Sequence, residues 1–337
     1  MKHLRLTLPA FAVLASFAQV ANAEGLGLFD FTVYATDGIQ SEHSDFMGLT
    51  GSGGDITLKH FEIRRTRSKP TDHLPYAAFA GGTFSLTHGS VNVRRNGSLV
   101  QGGVEAHRTV IKKAGTVKTR ETYKASVDPS IDHAFMAAEM KAASHRLAYG
   151  MAMENPRVVT NNVFESRGPG TINVFNVTAA DFESSNAYLK GHSTDVFVIN
   201  VMARDVSYEG ATYRIADINE KAFFFEGTLT PANIIWNFPD ADNVRVLASG
   251  VDRHDSVRKH WGVPGTILAP NAKVVFYNGL ITGAVLSKVF TAYVRDEKGG
   301  LFVPGGNGGQ VNDACFQGGG TGVGCGAFAP PPPPTDK

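Results

Sequence analysis

Over residues 83–93 apolar and polar side chains change places with a period of two. Phe84, Leu86, Val91 and Val93 are interleaved with Thr83, Ser85, Thr87 and Asn92. Such a run buries one face as a strand and leaves the other face polar. Later runs at 196–201, 273–277 and 283–290 are more fully apolar. Turn-forming steps punctuate them: His88-Gly89, Asn96-Gly97 and Tyr277-Asn278-Gly279. With 37 glycines and only 19% charged residues, the chain is expected to pack many short strands tightly between turns. No fixed period repeats, which excludes a regular hexapeptide solenoid.

One stretch departs from this pattern. Across residues 132–153, Phe135, Met136, Ala138, Met140, Ala143, Leu147 and Met151 recur mostly at spacings of three and four among good helix formers. Asp128-Pro129 supplies a start signal, and Ser130 or Asp132 is the expected cap. A lone helix in a β-protein must bury its stripe on a sheet face. A second, shorter helix is expected at 178–182, capped by Thr178.

The ends bound the compartment. Lys2, His3 and Arg5, an apolar run over 6–18, and Ala21-Asn22-Ala23 have the form of a secretory signal cleaved after Ala23. The competing reading, an uncleaved anchor, is disfavoured by the short apolar run and its flanks. No transmembrane segment is expected in the mature chain. Cys315 and Cys325 are the only cysteines, and in an oxidising compartment such a pair is most simply a disulfide. From residue 298 onward Gly pairs and a Pro run give a tail expected to bury little apolar area. The division is therefore a signal at 1–23, a β-domain at 24–297 and a tail at 298–337. The formal net charge of +1 gives no argument for a nucleic-acid partner or an anionic membrane.

Several short blocks are similar, in order, to those of the choice-of-anchor A family of bacterial ice-binding-like adhesive domains. They begin with Phe29-Asp30-Phe31-Thr32, then residues 44–48 and Gly53-Gly54-Asp55-Ile56. A Gly-Gly block at 80–89, a second at 99–103, the helix from Phe135 and the stretch 173–181 follow. Ile235-Trp236-Asn237-Phe238-Pro239, residues 265–272 and residues 278–283 complete the set. The resemblance spans roughly 26–291. Met47 stands where the family usually has an acidic residue, and the stretches 208–227 and 252–261 depart from its pattern. Family members often end in a wall- or membrane-sorting signal, and none is seen here, which brings a freely secreted form or attachment through a partner into play. The resemblance implies a mainly β fold: an irregular right-handed parallel β-helix (β-solenoid) with one long α-helix packed alongside. Gly-Gly pairs are expected to supply tight corners and positive φ where its rungs stack. It implies an adhesin that recognises a cell-surface or extracellular-matrix component, a glycan among the candidates.

Chemistry has little foothold in this sequence. There is no Gly-x-Ser-x-Gly elbow, no His-Glu-x-x-His pair and no phosphate-cradling loop, so no catalytic residue, cofactor or metal is expected. Paired carboxylates need only converge in space, which keeps a polysaccharide-active β-helix enzyme as a rival. A matrix or fibre subunit is a second rival. Ice binding is a third. It wants a long, flat, Thr-rich face, and Arg94 and Arg95 are read as spoiling the row begun by Thr83, Ser85 and Thr87. The candidate ligand-binding residues are that row, together with Arg253, His254 and Trp261 in the charged insert 252–261. The plainer reading of the insert is a solvated loop.

Overall fold

The computed structural model describes residues 26–65, 76–95, 98–112, 131–150, 157, 159–178, 186–208, 211–217, 223–246, 258–260, 262–276, 279–292 and 310–312. The N-terminal part supplies β1 (Phe31–Phe46), β2 (Leu49–Ser52), β3 (Asp55–Arg65), β4 (Tyr76–Arg95), β5 (Ser98–Gln101) and β6 (Gly103–Lys112). Helix α1 (His133–His145) follows, and then β7 (Val163–Glu165), β8 (Ile172–Thr178), β9 (Ala187–Gly191) and β10 (Val196–Met202). Next come β11 (Arg204–Tyr208), β12 (Ala211–Asp217), β13 (Phe223–Gly227), β14 (Ile234–Asn237), β15 (Asn243–Val246) and β16 (Arg258–His260). The last are β17 (Val263–Pro264), β18 (Thr266–Phe276), β19 (Leu280–Thr282), β20 (Val285–Ala292) and β21 (Gln310–Asn312).

Most of these strands stack in parallel, one rung on the next. The first ladder runs β8, β10, β14, β18, β20, β1, β2, β4, β6. A second runs β12, β15, β18, β20, β1, β3, β4, β6. The long strands serve both because they bend, with register shifts between Ala35 and Gly38, Ala269 and Lys273, and Ala80 and Thr83. The same bending lets β1, β2, β4 and β3 close a parallel circuit of pairings. A third, shorter ladder joins β17, β19, β21 and the end of β1. A separate sheet holds β7, β9 and β13 in parallel, with β16 antiparallel at its edge. Stacking order is not chain order: β1 lies directly on β20, and the rungs before α1 continue the pile made by the rungs after it.

The helix explains the continuously apolar runs. Along the first ladder Ile199, Trp236, Ile267, Val285 and Val33 point into the main core. The residues beside them, Val198, Ile235, Leu268, Leu286 and Tyr34, point the other way into a second core with Met136, Met140, Ala143 and Leu147 of the helix. Both faces of this sheet are covered, so its strands carry no polar alternation. Asp132 caps α1 as expected, its carboxylate accepting the Phe135 N–H at 2.9 Å. Beyond His145 the helix continues through one wider turn of π-helix, Arg146–Gly150. In β4 the alternation holds: Phe84, Leu86, Val91 and Val93 are buried and Thr83, Ser85, Thr87 and Asn92 are only half-buried.

Two expectations need correction. The paired glycines Gly53-Gly54 and Gly81-Gly82 are not among the positive-φ residues. They are required by closeness: a Cβ on Gly54 would sit 1.9 Å from the Asp37 carbonyl oxygen one rung away, and one on Gly81 2.3 Å from that of Gly53. At His88-Gly89 the left-handed residue is His88, with φ of 57°. Gly89 is there because a Cβ would lie 1.8 Å from the Phe61 carbonyl oxygen. The expected short helix at 178–182 falls largely outside the described residues, and Thr178 itself ends β8. Within the segment read as a tail, Gln310–Asn312 forms β21, with Val311 fully buried opposite Phe46.

Candidate functional site

Through β1, β3 and β4 the second ladder has one buried and one outward side; at β20 and β18 the outward row passes to Thr291 and Val275, which are buried. Outward from β4 stand Thr83, Ser85 and Thr87, so the structure brings this part of the expected site together on one face. Ser85 is in register with Thr57 of β3, Thr57 with Gln40 of β1, and Gln40 with Thr291 of β20. Thr87 is in register with Lys59 and Lys112, and Lys59 with Glu42. Gln40, Thr57 and Lys59 are exposed. With neighbouring rungs about 4.8 Å apart, these rows present short polar and charged side chains at regular intervals. The Asp55 carboxylate accepts the Thr83 N–H at 2.6 Å, which ties the edge of this face to the rung beside it.

The face ends at a corner made of three histidines. His43, His60 and His88 adopt φ of 53°, 50° and 57°, a region that L side chains occupy at a cost. Their rings stack in sequence, 4.7 Å between His43 and His60 and 4.6 Å between His60 and His88. Among the described residues no group of three or more His, Cys, Asp or Glu side chains is arranged to hold a metal ion. Past this corner β4 continues to Arg94 and Arg95, where it pairs with β5. The two arginines therefore lie in a segment beyond the His88 bend from Thr83, Ser85 and Thr87. On the same far side of the corner Asp45 and Glu62 are in register. Arg64 bonds to Glu62 and lies 3.9 Å from Asp45. Burial pushes the Asp45 carboxyl above its usual range, and Arg64 pulls the other way. Two carboxylates sharing one guanidinium make a surface ion cluster.

A second concavity lies on the separate sheet. Asn161, Val163, Tyr188, Leu189, Lys190, Phe224, Phe225 and Glu226 line a groove of about 380 Å³. Tyr188 of β9 and Phe224 of β13 are in register and stack face to face, 4.9 Å apart and 14° from parallel. Tyr188 keeps 40% of its surface exposed. Lys190 and Glu226 form an ion pair of 3.1 Å beside them. Sequence reasoning passed over this groove because its residues come from three separate strands. The one available signal was the alternation in Ala187-Tyr188-Leu189, which sends Tyr188 outward between two buried neighbours.

Arg253, His254 and Trp261 lie outside the described residues, as do Ala23, Cys315 and Cys325. The insert 252–261 contains β16, whose Lys259 is in register with Phe224. The other tryptophan, Trp236, is fully buried and donates its indole N–H to the Pro264 carbonyl at 2.5 Å. No helix among the described residues is long and apolar enough to cross a membrane.

Comparison with known proteins adds the following. The family described as "Putative Ice-binding-like adhesive domain" matches residues 26–298. A search of curated proteins found no match. Among solved structures, an ice binding protein from an Antarctic biological consortium is similar at 10% identity, with 85% of this chain and 86% of that one covered and a TM-score of 0.37. The ice-binding protein LeIBP from Arctic yeast is similar at 13% identity, with coverage of 78% and 90% and a TM-score of 0.34. The DUF3494 domain of Shewanella frigidimarina ice-binding protein 1 is similar at 15% identity, with coverage of 81% and 98% and a TM-score of 0.33.

Proposed function

This chain belongs to the ice-binding-like adhesive domain family, matched over residues 26–298, and from that premise we propose that it is a secreted, non-catalytic adhesive module of the cell surface. Its signal segment is removed after Ala23, its rungs wind right-handed, and Cys315 and Cys325 bridge the tail. The observation that carries the reading is the outward face built from Gln40, Thr57, Lys59, Thr83, Ser85 and Thr87. It is a regular polar array on a frame buried on its other side, suited to meeting an extended, repeating ligand. Arg253, His254 and Trp261 are proposed as further ligand contacts.

Ice is the second reading, favoured by the position of Arg94 and Arg95 beyond the His88 bend. Against it stand the charges of Glu42, Lys59 and Lys112, which share one row with Thr87. Charged side chains keep their hydration water, which disfavours close adsorption to an ordered water lattice. The adhesive reading is therefore preferred.

The test is a binding screen of the purified chain against intact bacterial cells, with release of sugar products and inhibition of ice recrystallisation measured on the same sample. Saturable adherence that is weakened by Thr57→Lys or Ser85→Glu, without turnover, is the expected result. Product release points to the enzyme rival, and recrystallisation inhibition without cell binding points to ice.

A further inference from the structure

The geometry points to the Tyr188–Phe224 groove as a subsite for one pyranose ring of a neutral glycan, an inference that rests on the adhesive reading and gives it a ligand class. Tyr188 and Phe224 stack along the strand-to-strand direction, so each ring spends one face on the other. The second face of Tyr188 is turned toward β7, where the residue in register is Val163. Valine is too short to cover a phenol ring, and the groove opens there, with Asn161 and Val163 on its wall. An exposed aromatic face beside a small apolar floor is a stacking surface for a flat apolar patch. The axial C–H face of a pyranose is such a patch.

The rim suits the hydroxyls of the same ring. Asn161 is exposed and held at φ of 52°, with an amide that donates and accepts. At the other end Lys190 supplies donors and Glu226 acceptors. These two are the charged residues lining the groove, and they neutralise each other across 3.1 Å. An acidic sugar would have to compete with Glu226 for Lys190, so the groove favours an uncharged one. The volume of about 380 Å³ lies at the small end of ligand sites, enough for one ring and part of its neighbour.

The experiment titrates the purified full chain with cellohexaose, laminarihexaose, chitohexaose and xylohexaose, reading affinity by calorimetry and the bound sugar protons by saturation-transfer NMR. At least one sugar is expected to bind, with its C–H protons showing the strongest transfer. Tyr188→Ala is expected to weaken binding about tenfold or more, and Tyr188→Phe less than about threefold, because the stack and not the hydroxyl carries it. Phe224→Leu, which removes the backing ring without opening the core, is expected to fall between. Lys141→Ala on the exposed side of α1 should leave sugar affinity unchanged. The inference is overturned by absence of binding to all four sugars, or by unchanged affinity in a Tyr188→Ala protein of unaltered Tm. If it falls while cell adherence persists and responds to Ser85→Glu, the adhesive reading stands alone; if adherence is absent as well, both fall.

Discussion

Tyr34 on β1 and His133 at the first turn of the helix share a hydrogen bond of 3.0 Å between the phenol oxygen and Nδ1, with their rings nearly parallel. Tyr34 is fully buried, and the pair fixes where the helix starts on the sheet. Burial raises the phenol pKa, and the Asp132 charge adds to it. Burial also lowers the pKa of His133, with Asp132 partly opposing. Tyr34→Phe is expected to cost about 1 kcal/mol by denaturant unfolding, since a half-buried ring nitrogen loses its partner.

The same histidine sets a pH slope. Its folded pKa lies below the ordinary 6.5, so between those values the unfolded chain binds more protons than the folded one. Stability from this group is present above about pH 6.5 and falls as pH drops toward the depressed folded value. Urea midpoints measured across that window should rise with pH, and His133→Asn should flatten the rise.

The end of the helix is held by a row of asparagines on consecutive rungs. Asn237 Nδ2 donates to Asn200 Oδ1, and Asn200 Nδ2 to Asn176 Oδ1, both at 2.8 Å. The same amide nitrogens donate to the carbonyls of Ser144 at 2.9 Å and Leu147 at 3.0 Å. Asn200→Leu leaves buried groups unpaired on two sides, with an expected loss of about 3 kcal/mol. A double-mutant cycle with Asn237→Leu should show strong coupling.

The histidine corner separates two kinds of strain. His60→Val puts a β-branched residue at φ of about 50° and should cost about 2 kcal/mol. His60→Gly removes the backbone strain but also the ring stack, and should lie within about 1 kcal/mol of the parent. Thermal melts of the two variants should separate clearly, with valine the lower.

Glycines divide in the same way. Gly54→Ala drives a Cβ to 1.9 Å from a backbone oxygen that cannot swing aside, and Gly168 has nothing within 4 Å of its Cβ position. The first substitution should cost about 3 kcal/mol by prising two rungs apart. The second should cost about 1 kcal/mol, through its positive φ alone. Unfolding midpoints measure the difference.

Much of the frame is legible in the residues. The Met136, Met140 and Leu147 stripe, the Asp132 cap and the Phe84–Val93 alternation all follow from local periodicity, and they match what is observed. The outward position of Thr83, Ser85 and Thr87 follows from the same alternation. Their partners Gln40 and Thr57 do not, because register between rungs is set by corners, and those corners rest on contacts such as Gly54 against Asp37 that are distant in sequence. The Gly-Gly pairs were visible, but their reason was not: a short contact to the next rung leaves no local mark distinct from a need for positive φ. The histidine stack and the Tyr188–Phe224 pair were hidden for the same cause, since each member looks unremarkable until the rungs are aligned.

The seating of β1 on β20 also governs how the molecule can be made. A solenoid stacked in chain order can grow rung by rung as the polypeptide emerges. Here β1 is an interior rung, and the strand it must lie against, β20, comes about 250 residues later in the chain, Val285 opposite Val33. Until then β1 offers an open edge of unpaired amides and carbonyls, ready to pair with another chain. Closing that seam joins contacts of large sequence separation, which slows folding and lengthens the exposure. The nascent chain thus carries this open edge until β20 has been made.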